Sequence, residues 1–256
     1  MLELFSLYNN LDIFIIIAMR ISGYVLVSPI FGRREVSNFL KISLILYLTY
    51  IIIFSESFSM EYIPETNLQF ITLAIVELLK GFLTGFMTSL FFSAFLTAGQ
   101  FIDIRIGFRM GGILDPQYGI KTPLSSNVLN IIAMAVFLIL DGHLQLINIV
   151  SHTYQASPVG NLEFLKNIYL VFTGAFSFAF LSAFKIALPI ILMIFLADVV
   201  LLVLIKFMPQ MNIFVIGIPM KILVGIFSLF YIIEPFADFL EPYFNTMYDS
   251  IWQIFM

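Results

Sequence analysis

GQFIDIRIGFRMGGILDPQYGIKTP, residues 99–123, is the longest polar interruption in an otherwise oily chain. Residues 81–102 on one side and 122–140 on the other carry no charge. Between those runs lie five glycines (Gly99, Gly107, Gly111, Gly112 and Gly119), two prolines and five charges. Glycine accepts backbone conformations that other residues resist. Proline removes a donor and stops helices. The stretch therefore predicts the least helical part of the chain, with long helices on both sides.

Working outward, six apolar blocks can be drawn: 68–102 and 126–150 beside the stretch, 11–31 and 39–55 before it, and 168–205 and 213–240 after it. The chain of 256 residues is 61% hydrophobic and only 11% charged, with a mean hydropathy of +1.05. Soluble domains run near 45–50% apolar and about 25% charged, so the class expected is an all-α, polytopic membrane protein. A helix needs about 20 apolar residues to span a bilayer. By that standard 39–55 is short, and 68–102 and 168–205 are long enough to be bent or doubled. Net charge is −4, with no polybasic run. That excludes nucleic acid as a natural partner. Cysteine is absent, which excludes disulfides and thiolate chemistry. Met1–Asn10 lacks a basic region before the first apolar run, so that run is expected to stay in the mature protein.

Charge alternates between joints. Arg33, Arg34 and Lys41 follow the first block, and Glu56, Glu61 and Glu65 follow the second. The central stretch carries Arg105, Arg109 and Lys121, and the tail carries Glu234, Asp238, Glu241 and Asp249. If all six blocks span, the positive-inside rule places the central stretch on the cytoplasmic side and both termini outside. Charges also fall inside the blocks: Arg20, Glu77, Lys80, Lys185 and Asp198. Each costs at least about 2.5–3.5 kcal/mol in mid-bilayer, so buried pairing inside the protein or its complex is expected. Glu77 and Lys80 are three apart, on one helical face, and read first as a structural couple. Gly81, Gly85, Ser89, Ser93 and Thr97 recur every four residues, and Gly174, Ala175, Ala179, Ser182, Ala183 and Ala187 repeat the theme. Small residues at this spacing let helices approach closely.

No nucleotide loop, nucleophile elbow or zinc-protease motif is present. His143 and His152, nine apart, would face opposite ways on one helix and do not make a metal pair. Asp141-Gly142-His143 reads as a break in a helix. No cofactor, metal or enzymatic activity is expected. One reading from residues alone is a stand-alone secondary transporter using the intramembrane charges.

Several separated stretches, taken in order, resemble the FliR family, also called the SctT family. They are Arg20-Ile21-Ser22-Gly23, Pro29-Ile30-Phe31-Gly32, Ala98-Gly99-Gln100, Gly107, and Asp115-Pro116-Gln117-Tyr118-Gly119. The resemblance continues through residues 137–143, ending in Asp141, Gly142 and His143, then Pro158-Val159-Gly160 and Leu188-Pro189. It closes with residues 209–221, which include Asn212, Phe214, Pro219 and Lys221. Asp103-Ile104-Arg105 departs from the family pattern by being more charged.

The resemblance implies a subunit of the type III protein export gate in the bacterial inner membrane, of the flagellar basal body rather than the virulence branch. Its implied partners are FliP-like and FliQ-like subunits, with an FlhB-like protein at the cytoplasmic entrance, and unfolded rod, hook and filament subunits pass through. It also implies a FliP-like part over about 1–185 joined to a FliQ-like hairpin over about 186–256, within one domain. Within that frame Gly107, Phe108, Arg109, Met110, Gly111, Gly112 and Ile113 are expected to form a gate loop. The glycines would hinge it. Phe108, Met110 and Ile113 would make a deformable apolar seal.

Overall fold

The computed structural model describes residues 2–54, 66–107, 123–166, 168–208 and 213–256. Among them the chain is helical, with no strand. The helices are α1 (Leu2–Val27), α2 (Asn38–Phe54), α3 (Asn67–Ile106), α4 (Leu124–Ile139), α5 (Gly142–Ala156), α6 (Ile168–Phe207) and α7 (Ile213–Phe255), with one 3-10 turn at Glu163–Leu165.

Three of these helices are outsized. At 40, 40 and 43 residues, α3, α6 and α7 each measure about 60 Å or more at 1.5 Å per residue, twice the roughly 30 Å hydrocarbon core. The overlong blocks are thus single continuous helices, not doubled ones. Among the described residues α3, α6 and α7 are long and apolar enough to cross a membrane; α4 with α5 makes a fourth candidate if the pair counts as one span. At 17 residues, α2 reaches only about 25 Å. Six ordinary spans are therefore not what the apolar blocks become. The last block also runs on to Phe255 through Pro235 and Pro242. Its second half buries Phe236, Leu240, Tyr243, Phe244, Met247 and Ile251. That three-and-four periodicity holds the helix together where proline alone would end it.

Two compact units form. The first comprises Met1–Phe91, Asp141–Ala175 and Phe244–Met256; the second comprises Phe92–Leu140 and Phe176–Tyr243. The boundary at 185/186 falls inside α6.

In the first unit α2 packs on α1, and α1 lies backbone to backbone on α3. A Cβ added to Gly81 would collide with the Arg20 carbonyl, and one added to Gly23 with the Leu78 carbonyl. Both glycines are there for close approach, not for flexibility. Ser89 extends the seam by donating from Oγ to the Val27 carbonyl at 2.6 Å. The four-residue series then leaves it, and Ser93 is exposed. Each four-residue step advances about 400°, so the stripe drifts by about 40° each time.

The second unit packs around aromatic rings. Phe92 meets Phe137 edge-on at 5.4 Å, and Phe95 meets Phe236 at 5.7 Å and Tyr243 at 5.2 Å between centroids. On α6, Ala179, Ser182, Ala183 and Ala187 face inward and are buried, while Gly174, in the first unit, has open space around it.

Candidate functional site

Two polar constructions stand out in this apolar molecule, one in each unit. In the first unit, Arg20 from α1 and Glu77 and Lys80 from α3 meet in the interior; none is more than 1% exposed. The Glu77 carboxylate is their hub. Its Oε2 accepts from Arg20 Nε at 2.5 Å, and its Oε1 accepts from Lys80 Nζ at 3.0 Å and from the Gly160 amide at 3.2 Å.

The remaining donors reach α5 and the chain just after it. Arg20 donates to Thr153 Oγ1 at 3.2 Å and to the Ser157 carbonyl at 3.0 Å, and Lys80 donates to the Pro158 carbonyl at 2.9 Å. The Arg20 guanidinium also lies 4.0 Å from the centroid of the Tyr154 ring. Tyr154 donates its hydroxyl to the Ile17 carbonyl at 3.1 Å. Gly160 adopts φ +83, a left-handed conformation that glycine takes without penalty and that turns its amide onto Glu77.

A buried charge must be paired and hydrogen-bonded or it is costly. Here both carboxylate oxygens are engaged by protein donors. The cluster thus ties α1, α3, α5 and the Ser157–Gly160 turn together. It works as a structural clamp: both oxygens of its one carboxylate are taken by protein donors.

The second construction, in the second unit, holds the two ends of the central stretch together. α3 continues through Gly99 to Ile106, so the first third of the stretch is helical. It ends at Gly107, whose amide donates back to the Asp103 carbonyl at 3.1 Å and whose φ is +90; a glycine in this position is a usual helix C-terminal signal. Sixteen residues later the chain re-enters at Pro123, which precedes α4 and offers no side-chain cap. The first amides of a helix need acceptors. Asp103, one turn before the end of α3, supplies one: its Oδ1 accepts from the Ser125 amide at 3.0 Å. A carboxylate is favoured there by the helix dipole as well. Ser126 Oγ donates to the Leu96 carbonyl at 2.8 Å, and a Cβ on Gly99 would strike the Ser126 backbone. The loop stems are thus zipped from Leu96 to Ser126.

Of the expected gate loop, Gly107 is the described residue. Phe108, Arg109, Met110, Gly111, Gly112 and Ile113 lie outside the described residues, as do Asp115, Pro116 and Asn212. Phe214 belongs to the first turn of α7, where Pro219 and Lys221 follow. Asp141 has φ 54 and separates α4 from α5; Gly142 is buried and His143 half-buried at the start of α5.

The remaining intramembrane charges behave differently from the cluster. Lys185 is exposed, and Asp198 is 34% exposed, paired with Lys221 at 2.5 Å. Neither is buried within this chain alone. The inward face of α6 runs through Ala183, Ala187, Ile190 and Ile194; Lys185, two places from Ala183 and Ala187, points about 200° away, whereas Asp198, four places from Ile194, stays near the inward stripe and meets Lys221. With Arg105, Asp198 and Lys221 line a cavity of about 450 Å³ walled by Phe101, Ile104, Phe184 and Ile191.

Sequence reasoning missed the Asp103 clamp. A signal existed: a helix beginning at a proline, which cannot cap by side chain, needs an acceptor from elsewhere.

Residues 11–247 match a family described as bacterial export proteins, family 1. Among similar proteins, the flagellar biosynthetic protein FliR of Escherichia coli (strain K12) is 28% identical over 236 residues, covering 92% of this chain and 90% of that protein. That of Bacillus subtilis (strain 168) is 29% identical over 230 residues, covering 88% and 87%. The surface presentation of antigens protein SpaR of Shigella flexneri is 29% identical over 156 residues, covering 60% and 59%.

Proposed function

We propose, because the chain belongs to family 1 of the bacterial export proteins, that it is a non-enzymatic subunit of the flagellar protein export gate in the inner membrane. In this reading it assembles with FliP-like and FliQ-like subunits and an FlhB-like protein, and unfolded flagellar subunits pass through the assembly. Residues 107–113 form a gate loop of the closed channel. The FliP-like part over about 1–185 and the hairpin over about 186–256 belong to the same reading.

The observation that carries the gating role is the zipped stem. Asp103, Gly99 and Ser126 fix where the central loop leaves and re-enters the helices. Between those fixed ends the sequence holds Gly111, Gly112 and Gly119, residues that accept backbone conformations others resist. Loops on a rigid scaffold are where function concentrates. The apolar side chains Phe108, Met110 and Ile113 suit a seal that excludes water and ions yet yields to varied chains.

The test is deletion of residues 109–113 in the assembled gate. Ion leakage across the membrane should rise while the assembly stays intact. Unchanged leakage from an intact assembly would remove the gate-loop role.

A further inference from the structure

Lys185 is the sole charge between Lys166 and Asp198. It sits on the outward side of α6, in the second unit, and makes no ion pair or hydrogen bond among the described residues. Leu181, Phe184, Leu188 and Leu192 surround it, each between 39% and 57% exposed. Beside it is a cavity of about 220 Å³ lined by Ile186 of α6 and by Ile232, Pro235, Phe236 and Phe239 of α7. Pro189, four residues on, has no amide hydrogen, so the Lys185 carbonyl also lacks its usual helical donor. One position thus presents a free ammonium and an under-served carbonyl in the middle of an apolar face.

Three surroundings can be weighed. Lipid would suit the leucines and phenylalanine but not the ammonium or the carbonyl. Water would suit the polar groups but not a broad apolar face. A neighbouring apolar helix that carries a carboxylate suits both. The acids nearest in sequence to the cavity wall, Glu234 and Asp238 on α7, are exposed and make no ion pair with Lys185. Among the described residues, no counter-charge for Lys185 is present.

We propose that the face of α6 around Lys185 is a docking surface for a membrane helix of another export-gate subunit, and that an aspartate or glutamate on that helix pairs with Lys185. This rests on the export-gate reading above. Complementary charge at such a contact sets register and suppresses wrong pairings. The apolar surround supplies the packing.

The experiment co-expresses the full chain with the neighbouring gate subunits and isolates the assembly through a tag on this chain. Wild type and Lys185→Arg should assemble. Lys185→Glu should insert in the membrane but yield at least about tenfold less assembly, because it sets two like charges against each other in the contact. Reversing one acidic residue in a partner's membrane helix to lysine should restore it. Because the chain has no cysteine, Leu181→Cys on the same face, with Lys185 kept, gives a second readout that needs no charge reversal. That cysteine should react with a membrane-impermeant maleimide in the isolated detergent-solubilised chain and be protected in the assembly. Normal assembly of Lys185→Glu would overturn the proposal while leaving the export-gate reading intact. So would rescue by Glu234→Lys or Asp238→Lys in the same chain, or maleimide labelling within the assembly. A tagged wild-type chain that recovers no neighbouring gate subunit from the co-expressing cells would overturn both.

Discussion

Removing the Glu77 carboxylate should be among the most damaging single changes available to the first unit. Glu77→Ala strands two cations, Arg20 and Lys80, that are at most 1% exposed. Breaking a buried pair from one side typically costs about 3–5 kcal/mol. The Gly160 amide, which donates to the same carboxylate, loses its acceptor and adds about 1–3 kcal/mol if it stays dry. Against a total stability of about 5–15 kcal/mol, that is a large fraction. At about 1.4 kcal/mol per tenfold, the folding equilibrium falls by at least roughly a hundredfold. Glu77→Gln keeps the shape but not the charge, and should recover only part of the loss. The triple change Arg20→Met, Glu77→Leu, Lys80→Met removes all three charges together, and should cost less than Glu77→Ala alone. The chain has one tryptophan, Trp252, which belongs to the same unit and faces the His152 ring at 6.4 Å. Its fluorescence during urea unfolding in detergent reports this unit directly. A loss below about 1 kcal/mol in Glu77→Ala, or a triple variant worse than the single one, would refute the clamp.

Other outcomes follow from the seams and the stem. Gly81→Ala drives a methyl into the Arg20 carbonyl and should destabilise by about 1–3 kcal/mol or more. Gly174→Ala meets open space in mid-helix and should be neutral or stabilise by up to about 1 kcal/mol; comparing their melting temperatures separates packing from propensity. Asp103→Ala leaves the Ser125 amide without its acceptor, which should cost about 1–3 kcal/mol. It should also raise gate leakage, measured by ion flux, if fixed loop ends matter to closure; wild-type flux from an assembled Asp103→Ala gate would show that they do not.

The sequence was informative where chemistry leaves few choices. Arg20, Glu77 and Lys80 could not sit in an apolar environment alone, and three-residue spacing already put two of them side by side. The glycine series marked the α1–α3 seam because only a missing Cβ lets backbones touch. Other features depended on tertiary context. Proline ordinarily breaks a helix, yet α7 continues through Pro235 and Pro242 because its buried face spans the interruption. Asp103 read as an anomaly in a family pattern, and its role emerged only when α4 was seen to begin beside it. Lys185 and Asp198 resembled Arg20 in sequence, each a charge in an oily helix. Lys185 lies opposite the alanines and Asp198 along their side, and only packing reveals that the alanine side faces in.

The clamp also sets a schedule for biogenesis. Arg20 is bonded to Glu77, 57 residues downstream, and to Thr153 and Ser157, 133 and 137 residues downstream. At translation rates of about 5–20 residues per second, Glu77 emerges roughly 3–11 s after Arg20. Through that interval the Arg20 guanidinium lacks the carboxylate that neutralises it, and placing it in mid-bilayer would cost at least about 2.5–3.5 kcal/mol. The clamp of the first helix is therefore complete only after the third and fifth helices have been made.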